Sequence, residues 1–175
     1  MSNIFLISDP HWDMPSVIRF GERPFSDVSE MIESMVEKWN RTVKKRDIVI
    51  CLGDWGRSSG GFKIADRLLG KKRLILGNHD KLQIPLYAKY FISIHSSFMK
   101  GEMILTHIPI LFDRIHHYSV NVHGHIHNAK ESPLGPYINV NMDAWSRTES
   151  YAPIPIEVVE AEVRKLMGKD TYQWM

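Results

Sequence analysis

Five short polar signals follow one another along the chain: Asp9-x-His11, Gly53-Asp54, Gly77-Asn78-His79-Asp80, Thr106-His107 and Gly124-His125-Ile126-His127. Singly, each has an ordinary structural explanation, because Asp and Asn serve turns and a lone histidine is more often structural than a ligand. Together they supply carboxylates and imidazoles, the donor set that suits borderline divalent metals such as Mn²⁺, Fe²⁺ or Zn²⁺. The chain has one cysteine, which disfavours a structural zinc site and points to catalytic metal. In Asp9-x-His11 and His125-x-His127, alternate residues of an extended segment share a side, so each pair can converge on one cavity. Gly53, Gly77 and Gly124 read as sharp turns just before the polar groups.

Three of these signals end strands. Ile4 to Ile7 form a short apolar run stopped by Pro10, which places Asp9 and His11 beyond its carboxyl end. Ile48 to Leu52 run into Gly53-Asp54, and Leu74 to Leu76 run into Gly77-Asn78. Between the first two strands, Val28, Met31, Ile32, Met35, Val36, Trp39 and Val43 recur at helical steps, with Asp27 and Glu30 as a capping pair and Lys44, Lys45 and Arg46 at the far end. The Met31 and Met35 stripe is helix packing. A shorter helix is predicted from Phe62 to Leu69, stopping at Gly70. Alternating strands and helices give a parallel α/β core, in which ligands gather beyond the carboxyl ends of the strands. The second half changes character: Phe91 to Phe98 and Glu102 to Thr106 read as a hairpin around Lys100-Gly101. Strands near Ser119 to His123 and Tyr137 to Val140 follow, then a closing helix from Ile156 to Met167 with Val159, Val163, Leu166 and Met167 on one face. No repeat or linker interrupts residues 1–175, which are read as one domain with two sheets. Gly56 to Gly61, rich in glycine and serine, is the expected mobile loop.

Composition narrows the function classes. At 175 residues, with 43% hydrophobic and 24% charged residues, ordinary core burial suffices for the fold. A formal charge of +2 is too small to imply a nucleic-acid or membrane surface. Cys51, flanked by Ile48, Val49, Ile50 and Leu52, reads as a buried thiol in a strand and suits a reducing cytoplasm. The opening residues lack a basic segment and resemble a first strand more than a signal peptide, and nothing approaches the roughly 20 apolar residues of a membrane span.

The order and spacing of the five signals, from Asp9 to about Asp143, resemble those of the calcineurin-like metallophosphoesterases. The resemblance implies an α/β fold, a four-layer α-β-β-α sandwich of two mixed sheets flanked by helices. It implies one divalent metal on Asp9, His11, Asp54 and His127, and a second on Asp54, Asn78, His107 and His125, with Asp54 bridging. Mn²⁺ or Fe²⁺ are the favoured ions, and Zn²⁺ the alternative. His79 would be the catalytic histidine, giving a proton to the leaving oxygen or stabilising phosphoryl charge, with Asp80 orienting its ring. The expected reaction is hydrolysis of a phosphomonoester or phosphodiester by metal-activated water. The expected substrate is a small phosphate ester, with nucleotides among the candidates.

A small single-domain branch of the family is also resembled, through Arg23-Pro24-Phe25, Trp39-Asn40 and Asn139-Val140-x-x-Asp143. That branch leads one to expect a further histidine after the first signal, where this chain reads Trp12-Asp13-Met14. Two rival functions are carried forward. A nuclease acting on DNA or RNA would need a basic groove, so nucleic acid is disfavoured; a non-catalytic scaffold should lack some of the signals. Trp12 and Trp55 are read as core in preference to stacking platforms, and Arg57 as a candidate phosphate clamp. His95, His116, His117 and His123 are read as structural.

Overall fold

The computed structural model describes residues 2–81, 84–111, 120–129, 135–145 and 148–168. Among them two mixed sheets face each other. The first has the order β4-β3-β2-β1-β9 and the second β5-β6-β7-β8. In the first, β1 (Ile4–Ile7), β2 (Ile48–Cys51), β3 (Lys71–Ile75) and β4 (Ser93–His95) run parallel, and β9 (Ile154–Pro155) joins β1 antiparallel at the edge. In the second, β5 (Phe98–Lys100) and β6 (Met103–Leu105) form an antiparallel pair, while β7 (Val120–His123) and β8 (Tyr137–Asn139) add in parallel. Helices flank the sheets, giving the α-β-β-α sandwich implied by the sequence. Of the residues read as structural, His116 and His117 lie outside the described residues, as does Ser119 at the start of the strand predicted near Ser119 to His123.

Period-two alternation builds both cores. Phe5, Ile7, Val49, Cys51 and Leu74 face one way, into a cluster with Met31, Met35, Val36 and Trp39 of α2 (Val28–Thr42). Leu6, Ile50, Leu52 and Ile75 face the other way, between the sheets, against Met103, Leu105, Val120, Val122 and Ile138. A strand buried on both faces reads as a continuous apolar run, which is why β1 and β2 were visible in the sequence. The start of α2 is fixed by Asp27, whose side chain accepts from the Glu30 amide, while Glu30 accepts from the backbone and side chain of Ser26. Trp12 and Trp55 are fully buried in the first cluster, their rings 5.7 Å apart, with Trp55 edge-on to Phe91. They are therefore core, and neither offers a stacking surface to a ligand.

Several expectations are corrected. The hairpin expected around Lys100-Gly101 is present, but its first arm is Phe98–Lys100 and not the whole of Phe91 to Phe98. Ser93–His95 is the edge strand of the first sheet, Phe98–Lys100 belongs to the second, and the bend at Ser96 and Ser97 lets Ile94 and Phe98 enter different cores. Before it stands α4 (Ile84–Tyr90), which the sequence did not announce because it is only seven residues long. The same shortness hid α1 (Ser16–Phe20) and β9. The helix expected at Phe62 begins earlier, as α3 (Ser59–Lys63), and continues as a 3₁₀ turn to Arg67. Gly56 to Gly61 is thus built structure: the Ser58 hydroxyl caps α3, and Trp55 Nε1 donates to the Gly61 carbonyl. On α5 (Ile156–Leu166), Val159 and Val163 are buried in the second cluster but Leu166 is exposed. None of the described helices is long and apolar enough to cross a membrane.

Asp47 ties the start of β1 to the end of α2. Its carboxylate is buried and accepts from the Asn3 amide at 2.9 Å and the Lys44 amide at 2.8 Å, and these donors hold its pKa below the usual carboxylate value. A depressed carboxylate pKa gives stability that is complete above the unfolded-state value and is lost as pH falls through the folded-state value. Asp47→Ala should therefore cost about 1–3 kcal/mol at neutral pH. In denaturant titrations the difference between wild type and variant should shrink as pH drops below the carboxylate range; a difference that stays constant would contradict the assignment.

Candidate metal centre

The polar groups meet where the carboxyl ends of both sheets converge. The pairing of β1 with β2 continues past the strands: the amides of Asp9, His11 and Trp12 donate to the carbonyls of Gly53, Asp54 and Trp55, each at 3.1 Å. The loop after β6 is linked to the loop after β7 by Gly124 N–H donating to the His107 carbonyl. A parallel bridge between Ser8 and Asn141 joins the two sheets at this end. Five site residues occupy the left-handed region: Asp9 (φ 57°), His11 (49°), Asp54 (55°), His125 (67°) and His127 (47°). Such conformations cost roughly 1–2 kcal/mol for residues with a Cβ, so a concentration of them marks a place where side-chain direction outweighs backbone comfort.

The glycines before these residues serve differently from the sequence reading. Gly53 does take a positive φ, of 89°. Gly77 and Gly124 are needed for space: a Cβ on Gly77 would lie 2.4 Å from the Asp54 amide nitrogen, and one on Gly124 would lie 2.2 Å from Asp9 Oδ2.

Side chains then close on one another. Asp54 Oδ2 lies 3.4 Å from His107 Nε2, 3.5 Å from His11 Nε2 and 3.9 Å from His79 Nε2. Asp9 Oδ1 lies 3.9 Å from His11 Nε2 and 3.8 Å from His127 Nε2. His11 and His127 stack with ring centroids 5.3 Å apart. His107 places Nε2 2.9 Å from Asn78 Oδ1, and its ring meets that of His125 edge-on at 5.0 Å. Among the described residues, two groups of His and Asp have donor atoms close enough to hold one ion each: Asp9, His11 and His127, and Asp9, Asp54 and His107. Asp9 is common to both, whereas the resemblance made Asp54 the shared residue; Asp54 nevertheless reaches His11 as well as His107. Asn78 Oδ1 adjoins the second group through His107, and His125 stands beside it, its ring against that of His107.

Orientation comes from behind. His107 Nδ1 donates to the Leu52 carbonyl at 2.8 Å, leaving Nε2 to face the site. His127 Nδ1 donates to Asp143 Oδ2 at 2.6 Å with the same result. Asp143 also accepts from Arg23 Nε at 2.7 Å, and the Arg23 Nη atoms donate to the carbonyls of Asp9 and Pro10. One buried ion pair thus braces the first and last signals together. The sequence marked Arg23 and Asp143 only through the resemblance; their bracing role had no local signal, since 120 residues separate them.

Asp80 is placed differently from expectation. Its two oxygens accept from the amides of Asp54, Trp55 and Gly77, so it fastens the loops after β2 and β3 to each other. The group on His79 Nδ1 is Arg57, whose Nε lies at 2.9 Å and Nη2 at 2.6 Å. Arg57, read from sequence as a phosphate clamp, is in this structure a partner of His79.

The electrostatics follow from burial. Desolvation lowers His11 to about 3, against the pull of Asp54, so its ring is neutral. Desolvation also opposes charge on His107, but the hydrogen bond to Asp54 and the charges of Asp9 and Asp54 outweigh it and lift the ring to about 9. For Asp54 burial acts upward, yet the His107 contacts, the His79 amide and His11 bring it down to about 2. Burial raises Asp9 and lifts Asp80 to about 6. Both ring nitrogens of the buried His11 lack a hydrogen-bond partner. A buried polar atom without a partner is costly, and a neutral imidazole between two carboxylates is a good ligand for a divalent cation. The residues therefore fit a metal site.

Comparison with known proteins agrees. The model of the calcineurin-like phosphoesterase family matches residues 2–167. The chain belongs to that family. The calcineurin-like phosphoesterases are metal-dependent, and the Asp/His clusters are consistent with a metal site typical of them. An uncharacterized protein of Methanocaldococcus jannaschii is 31% identical over 172 residues, covering 94% of this chain and 93% of that one. The Gene 66 protein of Mycobacterium phage L5 is 27% identical, covering 86% and 91%. A crystal structure of a protein of unknown function from Aquifex aeolicus superposes with a TM-score of 0.72 at 21% identity, covering 93% of this chain and all of that one, and shows the same fold.

The protonation of His107 predicts pH-dependent metal binding. With a pKa of about 9, its ring is charged at neutral pH in the metal-free protein, and a cation requires the neutral form. Metal affinity should rise with pH and level off above about 9. Calorimetry at pH 7 in buffers of different ionisation enthalpy should show release of about one proton or more per protein. Binding without proton release would mean that His107 is not displaced from its pairing with Asp54.

Proposed function

We propose that this chain, as a single domain over residues 1–175, hydrolyses a small phosphomonoester or phosphodiester with two divalent cations. The observation that carries the reading is His11, a buried neutral imidazole with two unpartnered nitrogens, wedged between Asp9 and Asp54. Asp9, His11, Asp54, Asn78, His107, His125 and His127 would hold the ions, with Mn²⁺ or Fe²⁺ favoured by the oxygen and imidazole donors. When bound, the cations supply Lewis acidity toward phosphoryl oxygens and lower the pKa of a nearby water.

The chain's own groups do the rest. His79 is the imidazole around Asp54 that stays open: its side chain is 27% exposed, against 1% for His11 and 2% for His107. Its amide donates to Asp54 Oδ1 at 2.8 Å, which fixes the backbone from which the ring extends. We assign to His79 the contact with the substrate's phosphoryl group or leaving oxygen, and to Asp80 the fastening of the two loops that carry Asp54 and Asn78. Nucleotides are among the candidate substrates. The buried thiol of Cys51 suits a reducing cytoplasm.

A screen of aryl and alkyl phosphate mono- and diesters, cyclic nucleotides and oligonucleotides with added Mn²⁺ tests the reading. Turnover of a small ester that chelation abolishes is the expected result; chelator-resistant turnover, or none on any ester by protein shown to be metal-loaded, would refute it. His79→Ala should keep its metal content while kcat falls on the order of 10²- to 10⁴-fold. Asp54→Ala should instead lose metal. Unchanged kcat in the His79 variant would remove it from the site.

A further inference from the structure

One pairing in this site is chemically one-sided. A guanidinium has only N–H donors and no acceptor. Arg57 directs Nε and Nη2 at the same imidazole nitrogen, His79 Nδ1, at 2.9 and 2.6 Å. Nδ1 must then present its lone pair, so the ring's single proton sits on Nε2. That nitrogen faces inward, 3.9 Å from Asp54 Oδ2, and the His79 ring meets that of His11 at 5.3 Å.

The arrangement is anchored. Asp13 Oδ1 accepts from the Arg57 amide at 2.9 Å and Asp13 Oδ2 from the Ser58 amide at 2.6 Å. The carboxylate lies in a recess that only glycines leave open: a Cβ on Gly61 would come within 2.7 Å of the Asp13 carboxyl carbon, and one on Gly56 within 3.0 Å of Oδ1. Ser58 then caps α3. Asp13 thus fixes the backbone from which Arg57 reaches His79, and it does so at Trp12-Asp13-Met14, where the sequence departs from the branch it resembles.

We propose that Arg57, set by Asp13, is a positioning residue that holds His79 as the Nε2–H tautomer, so that His79 stabilises phosphoryl charge by hydrogen bonding and keeps its proton. The inference rests on the phosphoesterase reading above. A neutral Nε2–H ring that gave its proton away would become an imidazolate, and Arg57 occupies the nitrogen through which a replacement proton would arrive. As the P–O bond breaks, its electron pair stays on the leaving oxygen. That oxygen takes up, through solvent, the proton shed by the attacking water, so atoms and charge balance without His79 as a donor of H⁺. Donors aimed at developing phosphoryl charge act through preorganisation, and their effect does not depend on the leaving group's basicity.

The test joins kinetics to a measurement that needs no turnover. His79→Ala should lower kcat by a similar factor for p-nitrophenyl phosphate and for an alkyl phosphate; a loss at least tenfold greater for the alkyl ester would show proton donation and overturn the proposal. Arg57→Ala should lower kcat about 10- to 100-fold with little change in KM. Added to His79→Ala, it should have almost no further effect, because the two act as one unit. A raised KM with unchanged kcat, persisting in the His79→Ala background, would make Arg57 a direct phosphate clamp instead. In metal-free, ¹⁵N-labelled protein, His79 should show an unprotonated Nδ1 and a protonated Nε2, with the Nδ1 signal shifting in Arg57→Ala and retained in Arg57→Lys. A protonated Nδ1 in the wild type would overturn the proposal. If no ester is turned over, the phosphoesterase reading fails while the NMR measurement still decides the Arg57 contact.

Discussion

Two carboxylates, Asp9 and Asp54, are taken out of water at the seam between the sheets, and most of the site's architecture answers that cost. Burying an ionised carboxylate carries a penalty of several kcal/mol unless charge and hydrogen bonds compensate it. For Asp54 the compensation is visible: the charged His107 ring at 3.4 Å and the His79 amide at 2.8 Å. Asp9 has less, namely Ser8 Oγ at 2.5 Å and the His125 amide at 3.0 Å, and burial raises its pKa. Beside these carboxylates stands His11, whose ring nitrogens have no hydrogen-bond partner. A buried Asp9 with little compensation and an unsatisfied imidazole in one dry pocket are costly in the metal-free protein, and divalent cations would remove both costs at once. In this site, metal affinity and fold stability are linked through the same atoms.

The backbone shows what is needed to keep that pocket in place. Five left-handed residues would relax if their loops were free, but each loop is pinned. The loops after β1 and β2 are laced by three backbone bonds, and Asp80 fastens the loops after β2 and β3. The Arg23–Asp143 pair joins the first loop to His127. These braces are themselves buried charges. A charged brace is a poor source of net stability, yet it has two discrete states, made or broken, and so holds direction better than apolar packing does.

How much of this could be read in advance depended on the range over which the information acts. Ile4 to Ile7 and Ile48 to Cys51 were legible because a strand buried on both faces is apolar throughout, and α2 because fifteen residues give four turns of periodicity. The polar signals were legible as a set because each sits at a strand end, and the structure does bring them together. Elements of two to seven residues, β9, α1 and α4, gave too few turns or alternations to rise above their surroundings. The division of Phe91 to Phe98 between two sheets was invisible because β-branched and aromatic residues suit either sheet equally. Asp80 misled for a different reason. Its neighbour in sequence is His79, but a turn directs successive side chains apart, and its carboxylate meets backbone amides 25 and 26 residues away. Sequence adjacency gave its location and not its partner.

Strand order also determines from which side the site can be reached. β1 and β2 have a strand on either side and packed residues on both faces, so the groups at their ends, Asp9, His11 and Asp54, lie at the bottom. The β3 end lies nearer the free edge, and from it His79 rises toward solvent, with Arg57 reaching over from the β2 loop. Beside His127 stands Phe20, 45% exposed at the end of α1, its ring 4.9 Å from that of His127 and perpendicular to it. The site therefore has a polar wall, Arg57 with His79, and an aromatic one, Phe20. The floor is built from groups that the fold cannot change without losing the pocket. The walls, by contrast, rest on a five-residue helix and on a loop whose first residues are held by the carboxylate of Asp13.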